Sequence, residues 1–362
     1  RLGRGLLASL ARTMRERVSG MVEATASVPF GLDYYSLRAA SNGASIVESP
    51  SLLEAAFIAR VDGNEKARRW AIESLLAKCR QNNGLFHDRA GASPDALPGR
   101  GCVVSIRDVA LAWDLVNHEL AEAERQEVAA ALHRNGQRLA AFINNPASNA
   151  PSGISETGAM ALGIAGLPLM NFEAFYVNAK RWVDSAESRA SALLASRIAD
   201  NGRPAASDIG GLTELMRFML PFMQAFRRYY NEDMLQGEGG NLSALPRWIA
   251  HQFGSGRYGL FASSRIRIEE LWGATPLLAK LADTYRDGVA QWLLQQISVA
   301  EAAKRAGEQD RTSGKYRLEM PAMPGVDSVL TAAFFDPSLQ ASSPDMAMTP
   351  GARLSETRAV VP

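Results

Sequence analysis

The side chains able to do chemistry in this sequence are few. Of the four histidines, His87, His118, His133 and His251, no two stand at the HxxxH spacing that grips a metal from one helix face. His87 sits in Gly84-Leu85-Phe86-His87-Asp88-Arg89, a loop entering a helix, and is the histidine best placed to face a cleft. His118 and His133 read as helix-surface residues. Gly256-Arg257-Tyr258-Gly259 is an aromatic and basic loop. Its ring can stack on a sugar face and its guanidinium can hold a carboxylate or sulfate through two hydrogen bonds, or the loop is simply polar surface. A glycoside hydrolase needs two carboxylates across a cleft. Asp88, Asp114, Glu156 and Asp208 are the candidates, though none stands in a recognisable motif. Dinucleotide-binding GxGxxG, phosphate-binding P-loop and GxSxG nucleophile patterns are absent from the sequence. Cys79 and Cys102 read as free thiols, at least one of them buried.

Helices must position these groups, because helical periodicity dominates. Leu52, Leu53, Ala56, Phe57 and Ala59 open one amphipathic segment, and Asp62-Gly63-Asn64 ends it. Ala67, Trp70, Ala71, Ser74, Leu75 and Lys78 continue at helical spacing, completing a hairpin. Val104 to Val116 is apolar-periodic. Ala121-Glu122-Ala123-Glu124-Arg125 is the acid-rich first turn of a helix reaching about Phe142. Further helical segments cover about 153–167, 171–199, 212–231, 241–253 and 268–298. Hairpins repeating every ~40–50 residues point to a closed toroid or a solenoid.

The totals narrow the class. The chain has 362 residues, 47% of them hydrophobic, enough to bury a large core without disulfides or metals. With 39 basic and 38 acidic residues, a net charge of +1 argues against general nucleic-acid binding and leaves room for a local basic groove. No apolar run approaches the roughly 20 residues that span a bilayer. Composition changes near residue 300: Glu301 to Gly314 is polar, and Tyr316–Leu318, Leu330–Phe335 and Thr357–Pro362 read as short strands. The expected organisation is therefore a helical domain over 1–300 and, over 301–362, a linker with the start of a β-rich domain. The first residues, Arg1 to Leu7, lack an initiator Met and a full signal-peptide core, as if an export signal had been removed.

Four stretches in order resemble the heparinase II/III-like and alginate-lyase-like polysaccharide lyases, over about residues 50–300. Leu53 to Leu76 resembles the early hairpin of that superfamily. SIRDVALAWDLVNHELAEAERQEV, with Trp113 and Asp114 in place of Tyr-Asp, resembles its second segment. SNAPSGISETGAMALGIAGL (148–167) resembles the Asn-His segment, and Ser263 to Trp292 a late helical segment. The resemblance implies an (α/α) toroid beside a β-sandwich, and β-elimination on a uronate polymer outside the cytoplasm, with no cofactor. It implies a role for Asn149 in neutralising the substrate carboxylate, although the same Asn could satisfy loop backbone groups. The following position, commonly His in the family, is Ala150. A loop matching in character the family's tyrosine-bearing stretch runs from Asp200 through Arg203 to Arg217, but its first tyrosines are Tyr229 and Tyr230. The expected catalytic set is Asn149, His87 and Tyr258, with Arg203, Arg217, Arg257, Glu156 and Tyr230 contacting substrate. The alternatives are a non-catalytic glycan-binding domain on the same scaffold and the (α/α)-barrel glycoside hydrolase.

Overall fold

The computed structural model describes residues 2–25, 52–80, 100–145, 152–205, 209–237, 240–252, 273–309 and 325–344. Among them the regular structure is helical: α1 (Leu2–Thr25), α2 (Leu52–Asp62), α3 (Glu65–Arg80), α4 (Arg100–Val116), α5 (Glu122–Asn144), α6 (Ser152–Leu169), α7 (Tyr176–Arg197), α8 (Ile209–Tyr230), α9 (Leu245–Gln252), α10 (Thr275–Tyr285), α11 (Gly288–Gln309) and α12 (Val326–Phe334). Short 3-10 turns follow α4 and precede α9, and Ile198 and Pro204 form one isolated bridge.

Local chemistry sets the boundaries. Gly63 adopts φ +64° in the turn after α2, and the Asn64 side chain accepts a hydrogen bond from the Ala67 N–H at 3.0 Å, capping α3. Glu124 accepts from the Ala121 N–H at 2.8 Å and closes the start of α5. α10 ends at Arg286 in the left-handed conformation. Asp287 then caps α11, accepting from the Val289 and Ala290 N–H groups at 2.7 and 3.3 Å.

Two kinds of helix alternate. Each even-numbered helix is more apolar than every odd-numbered one. An element apolar on most of its surface must be buried on most of its surface, and the packing follows. α2 packs on α4, α4 on α6, α6 on α8, α8 on α10, α10 on α12, and α12 back on α2. The odd-numbered helices cover them: α3 on α2, α5 and α7 on α6, α11 on α10, and α1 on α2 and α12. Small residues allow close approach. A Cβ on Gly163 of α6 would lie 2.5 Å from the Ala186 Cβ of α7 and 2.6 Å from the Phe222 ring of α8.

The even-numbered helices run in the same direction. Side-chain contacts tie their leading parts together: Arg217, in the first half of α8, reaches Asp327 in the first turn of α12, and Thr331 of α12 reaches Thr275, the first residue of α10. Other contacts join their far ends. Tyr230, the last residue of α8, donates to the Met170 sulfur beyond α6, Trp113 near the end of α4 lies 5.9 Å from Phe172, and the Tyr285 hydroxyl at the end of α10 donates to the Leu235 carbonyl. The bundle thus has a leading end, where the even-numbered helices begin, and a trailing end. The chain segments that precede α2, α4, α6, α8, α10 and α12 are 26–51, 81–99, 145–151, 198–208, 253–274 and 310–325, and of these the described residues are 145, 198–205, 273–274 and 325. Those leaving the even-numbered helices span 63–64, 117–121, 170–175, 231–244 and 286–287.

One expectation changes, and two helices extend the reading. Leu330 to Phe335 is not a strand: Val326, Asp327, Val329, Leu330 and Phe334 are buried at helical spacing in α12, which packs into the same core as α2 and α10. Ala332 and Ala333 favour helix, and Gly325 and Pro337 bracket it, so the short apolar alternation there was the weaker signal. α11 runs through the compositional change at residue 300 as far as Gln309. α1 adds a helix whose signal was present in Leu6, Leu10, Met14, Val18 and Met21, all buried. Tyr316–Leu318 and Thr357–Pro362 lie outside the described residues.

Candidate functional site

The apolar even-numbered helices carry charges in their interiors, and several converge near the leading end. Arg217 donates twice to Asp327, Nε to Oδ1 at 2.9 Å and Nη2 to Oδ2 at 2.7 Å. Arg17 of α1 donates to the fully buried Glu54 of α2, and at 3.0 Å to Ser328 Oγ, the neighbour of Asp327. Thr331 Oγ1 donates to Thr275 Oγ1 at 3.2 Å. Arg107, buried in α4, donates Nε to Asp108 at 2.8 Å and holds its guanidinium 4.4 Å above the Phe218 ring of α8. The result is a buried polar cluster of alternating charge, drawn from α1, α2, α8, α10 and α12, with Arg107 and Asp108 on α4. Several of these charges interrupt an apolar run, as Glu54 does in LLEAAFIA, Arg217 in LMRFML and Asp327 in VDSVL. That interruption was the readable sign, since a charge survives burial only when paired.

Lys280 of α10 is also buried, 5% exposed. Its Nζ donates to Gln224 Oε1 at 3.1 Å and sits 5.0 Å from the Phe334 ring centroid. Burial pushes its pKa down, against the smaller opposing pull of Asp283. Burial also pushes the Cys79 thiol up to about 12, which removes it as a nucleophile at neutral pH. Cys79 and Cys102 are both free and buried.

The expected site residues fall into three groups. His87, Asn149, Arg257 and Tyr258 lie outside the described residues, as does Ala150. Arg203 and Glu156 are at the leading end. Arg203 is exposed in the 198–204 turn, where Gly202 takes φ +79° and the Asn241 amide donates to the Ile198 carbonyl at 3.3 Å and Asp200 at 3.2 Å. Glu156, in the first turns of α6, accepts from Arg197 Nη2 at 2.7 Å, which ties the start of α6 to the end of α7. Arg217 also lies toward this end, but both hydrogen-bonding edges of its contact with Asp327 are in use inside the protein.

Tyr230 is at the trailing end, away from the others. Its ring packs 4.6 Å from Phe226 and 5.0 Å from Tyr229, and its hydroxyl faces the Met170 sulfur at 3.9 Å. Burial raises its pKa, the opposite of what a tyrosine serving as a base requires. A helix-capping aromatic accounts for it. Among the described residues no group of three His, Cys, Asp or Glu side chains could hold a metal ion, and no helix is long and apolar enough to cross a membrane.

No protein-family model matches the chain, and no curated protein matches it.

Proposed function

We propose that the chain is an (α/α) toroid, with the even-numbered helices as its inner ring and the odd-numbered helices outside, and that it cleaves a uronate-containing acidic polysaccharide by β-elimination at the leading end. One observation carries the reading. The sequence segments that carry His87, Asn149, Arg203 and the Arg257-Tyr258 pair each precede an even-numbered helix, and the starts of those helices lie at one end of the bundle, where Arg203 is exposed. The closed order of contacts from α2 round to α12 and back supports the toroid.

In the proposed reaction a base removes the uronate C5 proton, the electron pair forms the C4–C5 double bond, and the C4–O bond breaks with protonation of the leaving oxygen. The C5 proton becomes removable only when the adjacent carboxylate is neutralised. The Asn149 amide with Arg203 and Arg257 would do this, and His87 and Tyr258 are the candidates for proton transfer. Arg217 and Glu156 act in this reading as framework. The buried ion pairs near the leading end hold α2, α8 and α12, and the Thr331–Thr275 hydrogen bond holds the start of α10. A periplasmic or extracellular location goes with a polymeric substrate of this class.

The second reading, a glycan-binding domain without catalysis, is favoured by one residue, Ala150, where the resembled family commonly has His. Ultraviolet detection of the unsaturated uronate separates the two. The chain and its Ala150→His variant are each incubated with heparan sulfate, chondroitin sulfate, hyaluronan and alginate. New absorbance with either protein establishes the lyase and names its polymer. Absence of absorbance from both, with retained binding to one polymer, establishes the second reading.

A further inference from the structure

A groove lies between α5, α6 and α7, away from the polar cluster described above. Its volume is about 290 Å³, near the lower end of the ~300–1,000 Å³ usual for small-ligand pockets, which suits one ring and not a polymer segment. Arg181 is its single charged lining residue. Arg181 has no ion pair with any described residue, and Asp184, one turn along α7, is engaged by Lys180. Asn144, Asn178 and Ser185 add amide and hydroxyl groups, while Trp182 and Leu162 supply apolar wall.

Two features hold this lining in place. Gly136 of α5 lies directly against the Trp182 indole, where a Cβ would come within 2.5 Å of the ring, so the indole is seated by the lack of a side chain beneath it. The Asn178 amide donates to His133 Nε2 at 3.1 Å, which requires that nitrogen to be unprotonated. His133 stacks on Phe175 at 4.5 Å, and its burial lowers its pKa and favours that neutral form. The Asn178 amide is thereby oriented, with its oxygen left as an acceptor.

We infer that this groove binds a small hydroxylated carboxylate, of the size of a single sugar acid. One guanidinium matches one carboxylate in charge and in its two-pronged geometry. The amides and hydroxyl match ring hydroxyls in both donating and accepting roles, and the apolar wall matches a ring face. Inorganic phosphate, with greater charge and no apolar face, is the poorer match. The site is independent of the lyase reading, since it uses none of the same residues.

Calorimetric titration tests it with D-glucuronate, D-glucose and inorganic phosphate as probes, on the unaltered chain and on Arg181→Gln and Ser185→Leu. Both substitutions are at exposed positions of α7 and leave the core intact, which thermal unfolding of each variant verifies. Glucuronate is expected to bind with a dissociation constant on the order of 1 mM, as befits so few atoms. Glucose and phosphate should bind more weakly. Arg181→Gln should weaken glucuronate about tenfold by removing a charged hydrogen-bond donor, and Ser185→Leu should abolish binding by filling the groove. Saturable binding that survives both variants, equal binding of glucose, or no glucuronate binding at tenfold higher concentration overturns the assignment. None of these readouts depends on elimination, so failure of the lyase assay leaves the result interpretable.

Discussion

Replacing Asp327 with Leu asks whether Arg217 belongs to the protein's framework or to its ligand. The Asp327 side chain is 5% exposed and the Arg217 side chain 26%, and two hydrogen bonds of 2.9 and 2.7 Å join them. Breaking a fully buried pair costs about 3–5 kcal/mol, because one charge stays behind in a poor solvent. Here the guanidinium retains a quarter of its exposure and can turn partly toward water, which brings the cost to roughly 2–3 kcal/mol. Losing an acid from the first turn of α12 adds about 0.3–1 kcal/mol through the helix dipole. The expected total is about 3 kcal/mol. At a melting entropy of about 2.1 cal/mol/K per residue, that is a fall of about 4 °C in Tm. Removing both charges, with Arg217→Met added, should recover most of the loss, since no charge is then stranded. Urea unfolding followed by circular dichroism measures all of these variants. If Asp327→Leu unfolds within about 0.5 kcal/mol of the unaltered chain, the pair contributes no more than an ordinary surface contact. Arg217 would then be free to meet a substrate, and the framework role argued for it would be wrong.

Two further outcomes follow from packing and from titration. Gly163→Ala gains about 1 kcal/mol of helix propensity but forces a methyl against Ala186 and Phe222, an overpacking of about 1–3 kcal/mol. Its net effect should be destabilising by ~1 kcal/mol, whereas Gly153→Ala, with nothing within 4 Å of the new methyl, should be neutral or stabilising; equal thermal shifts would contradict the close approach of α6 to α7 and α8. The Asp336 carboxyl accepts from the Ser338 N–H and hydroxyl and from Arg286, and these hold its pKa at about 2, below the ~3.9 of an unfolded chain. A depressed folded value means that its contribution is present above about pH 4 and disappears as pH falls toward 2. Asp336→Asn should therefore flatten the dependence of the urea midpoint on pH in that window, and parallel curves for the two proteins would refute the assignment.

The helical class and most helix positions were legible because apolar spacing is a local property. Asp62-Gly63-Asn64 and Glu122-Ala123-Glu124 announce a turn and a helix start through their own side chains. α12 is ambiguous in the sequence because Leu330 to Phe335 covers only five of its nine residues, and over so short a window the apolar positions fit either period. Which residues meet was less accessible. Arg17, Glu54 and Ser328 are widely separated in the chain, and only the packing of α1 and α12 on α2 brings them together. Arg217 has the type and spacing of a polyanion ligand, yet an aspartate 110 positions away had already claimed it. Nothing around Arg217 in the chain could have revealed that partner. Tyr230 likewise has the type of a sugar-stacking ring, yet it packs on Phe226 and faces the Met170 sulfur, neighbours that its place in the chain does not reveal.

The lengths of the connections leaving the even-numbered helices have a consequence for how such a chain can change. Lengthening a surface connection carries a closure cost that grows only with the logarithm of its length, so the exposed residues 117–119 between α4 and α5 can accept an insertion while α4 keeps its contacts with α2 and α6. Two residues at 63–64, or at 286–287, offer no such freedom, because they fix how α3 folds back on α2 and α11 on α10. Diversification by splicing, natural or engineered, is therefore open at the first connection and closed at the other two, where an insertion would pry the hairpin apart.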